Sequence, residues 1–218
     1  MTWRPGTTVA AGSAPGRQFD LGPNGDAVYS DGTSIFRSRG GTTARAVPDS
    51  ADQRYLWPVP DGSSVLYVSQ PQSGASPSDL GMVDSTGART LVARAGSTFY
   101  VNKGKFGYRY RVNHGWVYFV ARGSGDPQRG TLGARTPSGQ TLTLSALGRA
   151  FQIEQVGAEG ALVYPGWGPD ETTLHRYHYT PAGGMRDLGL ARPGSRSELM
   201  PDGSVPALVG DHVLGVTP

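Results

Sequence analysis

A glycine that follows a short polar residue and leads within a few positions into an apolar strand recurs five times, and this recurrence constrains the fold more than any other feature of the chain. The copies are Asn24-Gly25 before Ala27-Val28-Tyr29, Asp61-Gly62 before Val65-Leu66-Tyr67-Val68, His114-Gly115 before Trp116-Val117-Tyr118-Phe119-Val120, Glu159-Gly160 before Ala161-Leu162-Val163-Tyr164, and Asp202-Gly203 before Ala207-Leu208-Val209. Glycine there supplies the positive φ that tight antiparallel turns demand, so each copy reads as a hairpin. The five glycines stand 37, 53, 45 and 43 residues apart, and the path from Gly203 through Pro218 and on from Met1 to Gly25 counts 40, so that five units fill all 218 positions. A unit of about 44 residues holds four strands of about five residues with their turns.

The two ends share one unit. Val213-Leu214-Gly215-Val216-Thr217-Pro218 matches the first half of a unit also seen at Leu132–Pro137 and His175–Pro181, and Gly6-Thr7-Thr8-Val9-Ala10 matches the strand that follows, as Gly139–Leu144 does internally. A unit divided between the termini is what a closed ring of sheets requires. The expected fold is therefore all-β: a five-bladed β-propeller of four-stranded antiparallel blades, one domain over residues 1–218, with an N-terminal strand completing the C-terminal blade. In the first blade the strands are expected near 19–21, 27–30, 34–37 and 43–47.

Composition agrees. There are 33 glycines and 17 prolines, and no window carries a sustained apolar stripe of period 3.6, so helix should be nearly absent. The absence of cysteine removes disulfides, thiolate metal sites and a cysteine nucleophile together. No N-terminal leader pattern and no run of 18 apolar residues occurs, so no membrane insertion is expected. The pI is 9.3, yet the net charge is only +3 and the basic residues are scattered, which argues against nucleic acid as a partner.

The segment from Val59 to Ser69, with Leu80-Gly81-Met82-Val83-Asp84-Ser85-Thr86-Gly87-Ala88-Arg89-Thr90-Leu91 after it, resembles the WD40-like repeat of the TolB-type β-propellers. The likeness is clear in the second unit, partial in the first and fifth, and faint in the third and fourth. It implies a fold and no common chemistry. In size the chain is also similar to the small five-bladed lectins of the tachylectin type, a likeness of architecture alone.

Irregularity in the repeat marks the candidate site. The connection between second and third strands is tight in the first and fifth units but long in three consecutive ones, at 70–78, 122–129 and 165–172. A long link over 95–108 falls beside them and carries both lysines of the chain. Loops on a rigid scaffold commonly carry binding residues, and aromatic rings beside cations suit a sugar face or a protein hot spot. The candidate ligand-binding residues are Trp167, Tyr100, Lys103, Lys105, Arg122 and Arg129, joined by Trp57 and Tyr110 on innermost strands. Trp167, between two glycines, is the foremost of them.

A second set lies five positions before each turn glycine, where the innermost strand should pass the axis: Asp20, Trp57, Tyr110, Gln155 and Glu198, with Glu154 adjacent. Paired carboxylates there could serve glycoside hydrolysis, with Asp20, Glu154 and Glu198 as the catalytic acids. His175 and His178, three apart on a strand, point to opposite faces and do not form a zinc pair. No metal site and no cofactor is expected, and Asp170-Glu171 reads as a solvated loop.

The function expected from these residues is a non-enzymatic recognition or assembly module that binds a carbohydrate or protein partner through the loops of blades 2 to 4. A structural role in a phage tail or virion surface is the first alternative, and a five-bladed glycoside hydrolase-like enzyme the second. An extracellular or virion-associated location is favoured over the cytoplasm, and the oligomeric state is left open.

Overall fold

The computed structural model describes residues 18–22, 25–73, 78–95, 110–113, 115–121, 129–146, 148–150, 153–191, 199, 203, 205–209 and 212–216. The chain divides into two compact units, Met1–Arg94 and Ala95–Pro218.

The first unit holds two antiparallel four-stranded sheets. One is built in chain order from β1 (Gln18–Leu21), β2 (Ala27–Ser30), β3 (Ile35–Arg39) and β4 (Thr42–Val47); the other from β5 (Gln53–Asp61), β6 (Ser64–Pro71), β7 (Ser78–Val83) and β8 (Arg89–Ala95). The four strands expected in the first blade are present within two residues of their expected ends. Val28, Ile35 and Val47 of one sheet pack with Tyr55, Val65, Tyr67 and Val83 of the other as a single core.

The second unit repeats the plan. One sheet contains β9 (Tyr110–Asn113), β10 (Trp116–Ala121), β11 (Thr131–Arg135) and β12 (Thr141–Thr143); the next contains β13 (Gln155–Val156), β14 (Leu162–Trp167), β15 (Leu174–Thr180) and β16 (Gly184–Leu190). A hairpin of β17 (Val205–Val209) and β18 (His212–Val216) follows. The core here joins Tyr118, Val120, Leu132 and Ala134 to Ala150, Ile153, Leu162, Tyr164 and Tyr179.

Burial explains why the second strand of each unit gave the strongest sequence signal. β6 and β10 are buried along four successive positions rather than on alternate ones, because their sheets are covered on both faces. β16 is largely exposed, as a last strand with no neighbour beyond it should be. The N-terminal segment 6–10, expected to complete the last blade, lies outside the described residues.

All five turn glycines have positive φ: 76° at Gly25, 56° at Gly62, 78° at Gly115, 81° at Gly160 and 81° at Gly203. Three of their carbonyls accept a hydrogen bond from the sheet before. Arg37 donates to the Gly62 carbonyl, the Tyr118 hydroxyl to that of Gly160, and His178 Nε2 to that of Gly203 over 2.9 Å. Gly160 is required twice over, since a Cβ there would also stand 2.6 Å from the Trp116 ring.

Of these three donors, only histidine changes charge near neutral pH. Burial pushes the Tyr118 phenol far above its ordinary range, and arginine stays charged. Burial also lowers the His178 pKa below its ordinary 6.5, against the pull of the Gly203 carbonyl and together with the charge of Arg186. The unfolded chain therefore takes up a proton near pH 6.5 that folded His178 resists, so stability is complete above that pH and declines below it. Thermal melts of the wild type and His178→Gln from pH 8 to 5 check this: the wild type should lose more stability below pH 6.5 than the variant. Equal slopes would show that His178 carries none of the dependence.

Candidate active site

The hairpin of β14 and β15 runs further than the sequence suggests. Pro165, Gly166 and Trp167, expected to open a loop, are strand residues paired with Arg176, His175 and Leu174. Gly166 is also bridged to Ala150 on its other side, which commits this glycine and proline stretch to the sheet. The connecting turn shrinks to 168–173.

Pairing places side chains by face. Tyr164 and Gly166 share one face of β14, and their partners Tyr177 and His175 share the same face of β15. The three rings form a column: Tyr164 stacks on Tyr177 with centroids 5.2 Å apart, and Tyr177 on His175 at 6.3 Å. The absent side chain of Gly166 makes room, because a Cβ there would meet the rings of Tyr164 and Tyr177 at 3.0 and 3.3 Å.

A bulge between His175 and Tyr177 sets Asp187 of β16 opposite Tyr177, within reach of the imidazole. His175 Nδ1 and Asp187 Oδ2 are 2.7 Å apart. The second oxygen of Asp187 accepts the N–H of Gly189 at 2.7 Å, so the carboxylate is oriented before it meets the imidazole. An ionised carboxylate accepts only, which puts the imidazole proton on Nδ1 and the lone pair on Nε2. Nε2 has no hydrogen bond among the described residues and borders Gly168, where a Cβ would approach to 2.9 Å. The His175 side chain keeps 19% of its surface open.

Around the dyad the charges are fixed. Asp170 accepts the N–H groups of Thr172 at 3.0 Å and Thr173 at 3.1 Å as well as their hydroxyls, and these bonds hold its carboxyl well below the usual range. Burial raises the Tyr177 phenol, with Asp187 and Asp170 adding to the shift and Arg149 opposing it. That hydroxyl donates to the Trp167 carbonyl at 3.2 Å.

The candidate residues drawn from sequence are distributed unevenly. Trp167 and Arg129 do meet: the guanidinium carbon stands 4.8 Å from the indole centroid. Asp20, Trp57, Tyr110 and Gln155 each fall on the first strand of their sheet, as the count from the turn glycine required. Trp57 is half-buried at φ 49°, with its N–H bound by Gln18 Oε1. Asp20 Oδ1 accepts the N–H of Leu21. Glu154 faces Arg176 with both oxygens, at 3.0 and 3.4 Å. Tyr100, Lys103, Lys105, Arg122 and Glu198 lie outside the described residues.

Sequence reading weighed His175 only against His178 and missed Asp187. The signal is weak: the two partners are 12 residues apart, and a bulge displaces the register that would have paired them.

No family model and no curated protein matches the chain. Among solved structures it superposes on a puromycin hydrolase with a TM-score of 0.51 and 18% identity, over 86% of this chain and 32% of that one. A streptogramin B lyase gives 0.44 and 15%, covering 82% and 56%. Regucalcin, a calcium-binding protein from Agrobacterium tumefaciens, gives 0.41 and 13%, covering 85% and 65%. The chain thus spans about a third of the puromycin hydrolase, and the likeness establishes a propeller-like fold of antiparallel four-stranded sheets. It also corrects the expected function. The expected reading was a non-enzymatic module, whereas the structure that superposes at a TM-score above 0.5 is a hydrolase, so the non-enzymatic reading gives way and the enzymatic alternative is the closer one. At this identity no activity passes from the hydrolase to this chain.

The Glu154–Arg176 pair yields a stability prediction. Its side chains are 18% and 12% exposed, so removing Arg176 leaves the Glu154 carboxylate in a poorly solvated position without that cation. Arg176→Met should cost about 3 kcal/mol in urea unfolding, and Glu154→Leu with Arg176→Met should recover most of it. A single variant as stable as the wild type would mean that the pair is already solvated.

Proposed function

We propose that this chain is an enzyme that works by general acid–base catalysis at His175. The observation that carries the proposal is the 2.7 Å contact from Nδ1 to an oriented Asp187, which leaves Nε2 without a hydrogen bond among the described residues on a side chain that keeps part of its surface open. In this role Nε2 takes a proton from an attacking water or from the substrate. Asp187 stays ionised and stabilises the imidazolium, and the same nitrogen returns the proton to the leaving atom. Hydrolysis and elimination both fit that sequence. The dyad supports it better than the acids of the glycosidase alternative, because both oxygens of Glu154 are engaged by Arg176.

Hydrolysis of 4-nitrophenyl acetate, a small activated ester, provides the test. His175→Gln should lower kcat/KM by about 100-fold or more, and Asp187→Asn by about tenfold or more. Wild-type rates in folded His175→Gln would overturn the reading.

We also propose the complete architecture: one WD40-like propeller of five blades over residues 1–218, with β17 and β18 as the second and third strands of the fifth. The antiparallel pairing of these two strands directly after the turn glycine Gly203 supports this, since it matches the pairing of the second and third strands in the other sheets. Segment 6–10 is proposed as the last strand. Deleting residues 1–10 should then lower the melting temperature by several degrees and expose a sheet edge that promotes association. A truncated chain that melts like the full one would refute shared-blade closure.

A further inference from the structure

We infer that Arg129 is a positioning residue for His175: by stacking on Trp167 and binding Glu171, it holds the turn 168–173 where Gly168 abuts the imidazole. The inference rests on the acid–base reading of His175 for its meaning, but its structural content can be tested alone.

Arg129 reaches the turn in two ways. Its guanidinium lies over the Trp167 ring at 4.8 Å. In the same pose Nη2 donates to the Glu171 carbonyl at 2.7 Å, and Nη1 stands 3.5 Å from Glu171 Oε2. A planar cation can stack through its face while donating from its edge, whereas a lysine ammonium cannot do both. The backbone beside it is anchored, since Gly130 exchanges two hydrogen bonds with Ala150, at 2.8 and 2.7 Å.

The turn transmits that hold because it is closed on itself. Gly168 N–H donates to the Thr173 carbonyl at 2.8 Å, and Glu171 N–H to the Gly168 carbonyl at 2.9 Å. The Asp170 carboxylate ties Thr172 and Thr173 into the same body. Glu171 is kept at φ 57°, in the left-handed region that non-glycine residues avoid, so the surroundings must maintain it. A grip on Glu171 is therefore a grip on Gly168, whose missing side chain lets the turn close to within van der Waals reach of His175 Cδ2 and Nε2.

The test follows the His175 Nδ1 proton by NMR in protein labelled with 15N-histidine, with His175→Gln to assign the signal. Arg129→Met and Arg129→Lys should speed exchange of that proton by about tenfold, as loss of the turn's packing against Cδ2 and Nε2 lets the ring swing away from Asp187. Arg129→Gln, whose planar amide can stack and donate, should fall between them and the wild type. Exchange in folded Arg129→Met within twofold of the wild type would overturn the inference. If Arg129→Met does not fold, the order of the other two decides: faster exchange in the glutamine variant than in the lysine variant is the overturning result. If His175→Gln keeps full esterase activity while Arg129→Met still speeds exchange, catalysis by His175 fails and the positioning role stands.

Discussion

A turn glycine that also accepts a hydrogen bond from the preceding sheet is the constraint on which the observed packing depends. A left-handed glycine turns its carbonyl out of the hairpin ladder, and a buried carbonyl left without a donor is costly. Tyr118 and His178 supply that donor to the buried Gly160 and Gly203, and Arg37 bonds the carbonyl of the exposed Gly62 in the same way. Each bond also fixes where one sheet sits against the next. Apolar contacts such as those around Tyr118 and Leu162 contribute more energy, but they are non-directional and would tolerate sliding. The hydrogen bond sets the register.

Three chemically different donors meet the same acceptor, and this explains why the repeat is strong in one half of its motif and faint elsewhere. The acceptor side needs glycine for its φ, so the polar residue and glycine recur. The donor side needs only an N–H or O–H of suitable reach, so it can drift among arginine, tyrosine and histidine without disturbing the sheet. The first blade was therefore readable almost to the residue, because its strands are short and bounded by turns. The Pro165-Gly166-Trp167 stretch was misread, because its strand character comes from pairing with Ala150 and His175 rather than from its own propensity.

The site was less legible for a related reason. Trp167 and Arg129 could be singled out because both interrupt the repeat, and the structure does bring them together. His175 and Asp187 lie within strands, where nothing in the spacing sets them apart from packing side chains. Their meeting depends on a bulge in the β15–β16 ladder. A bulge adds one residue to one strand and re-aims a side chain, and its position is set by packing on both faces at once.

The location of the dyad follows from the same division of labour. Tyr164 and Tyr177 stack on one another along one face of the β14–β15 hairpin. At the end of that column His175 has a stacking partner on one side and keeps part of its surface open. A catalytic imidazole needs both: fixed orientation, so that little reorganisation accompanies proton transfer, and an open nitrogen. The turn from Gly168 to Thr173 supplies the remaining wall. Its conformation is unfavourable at Glu171, and the contact that reaches it from outside the hairpin comes from Arg129, which directly precedes the Gly130–Ala150 bridge and β11.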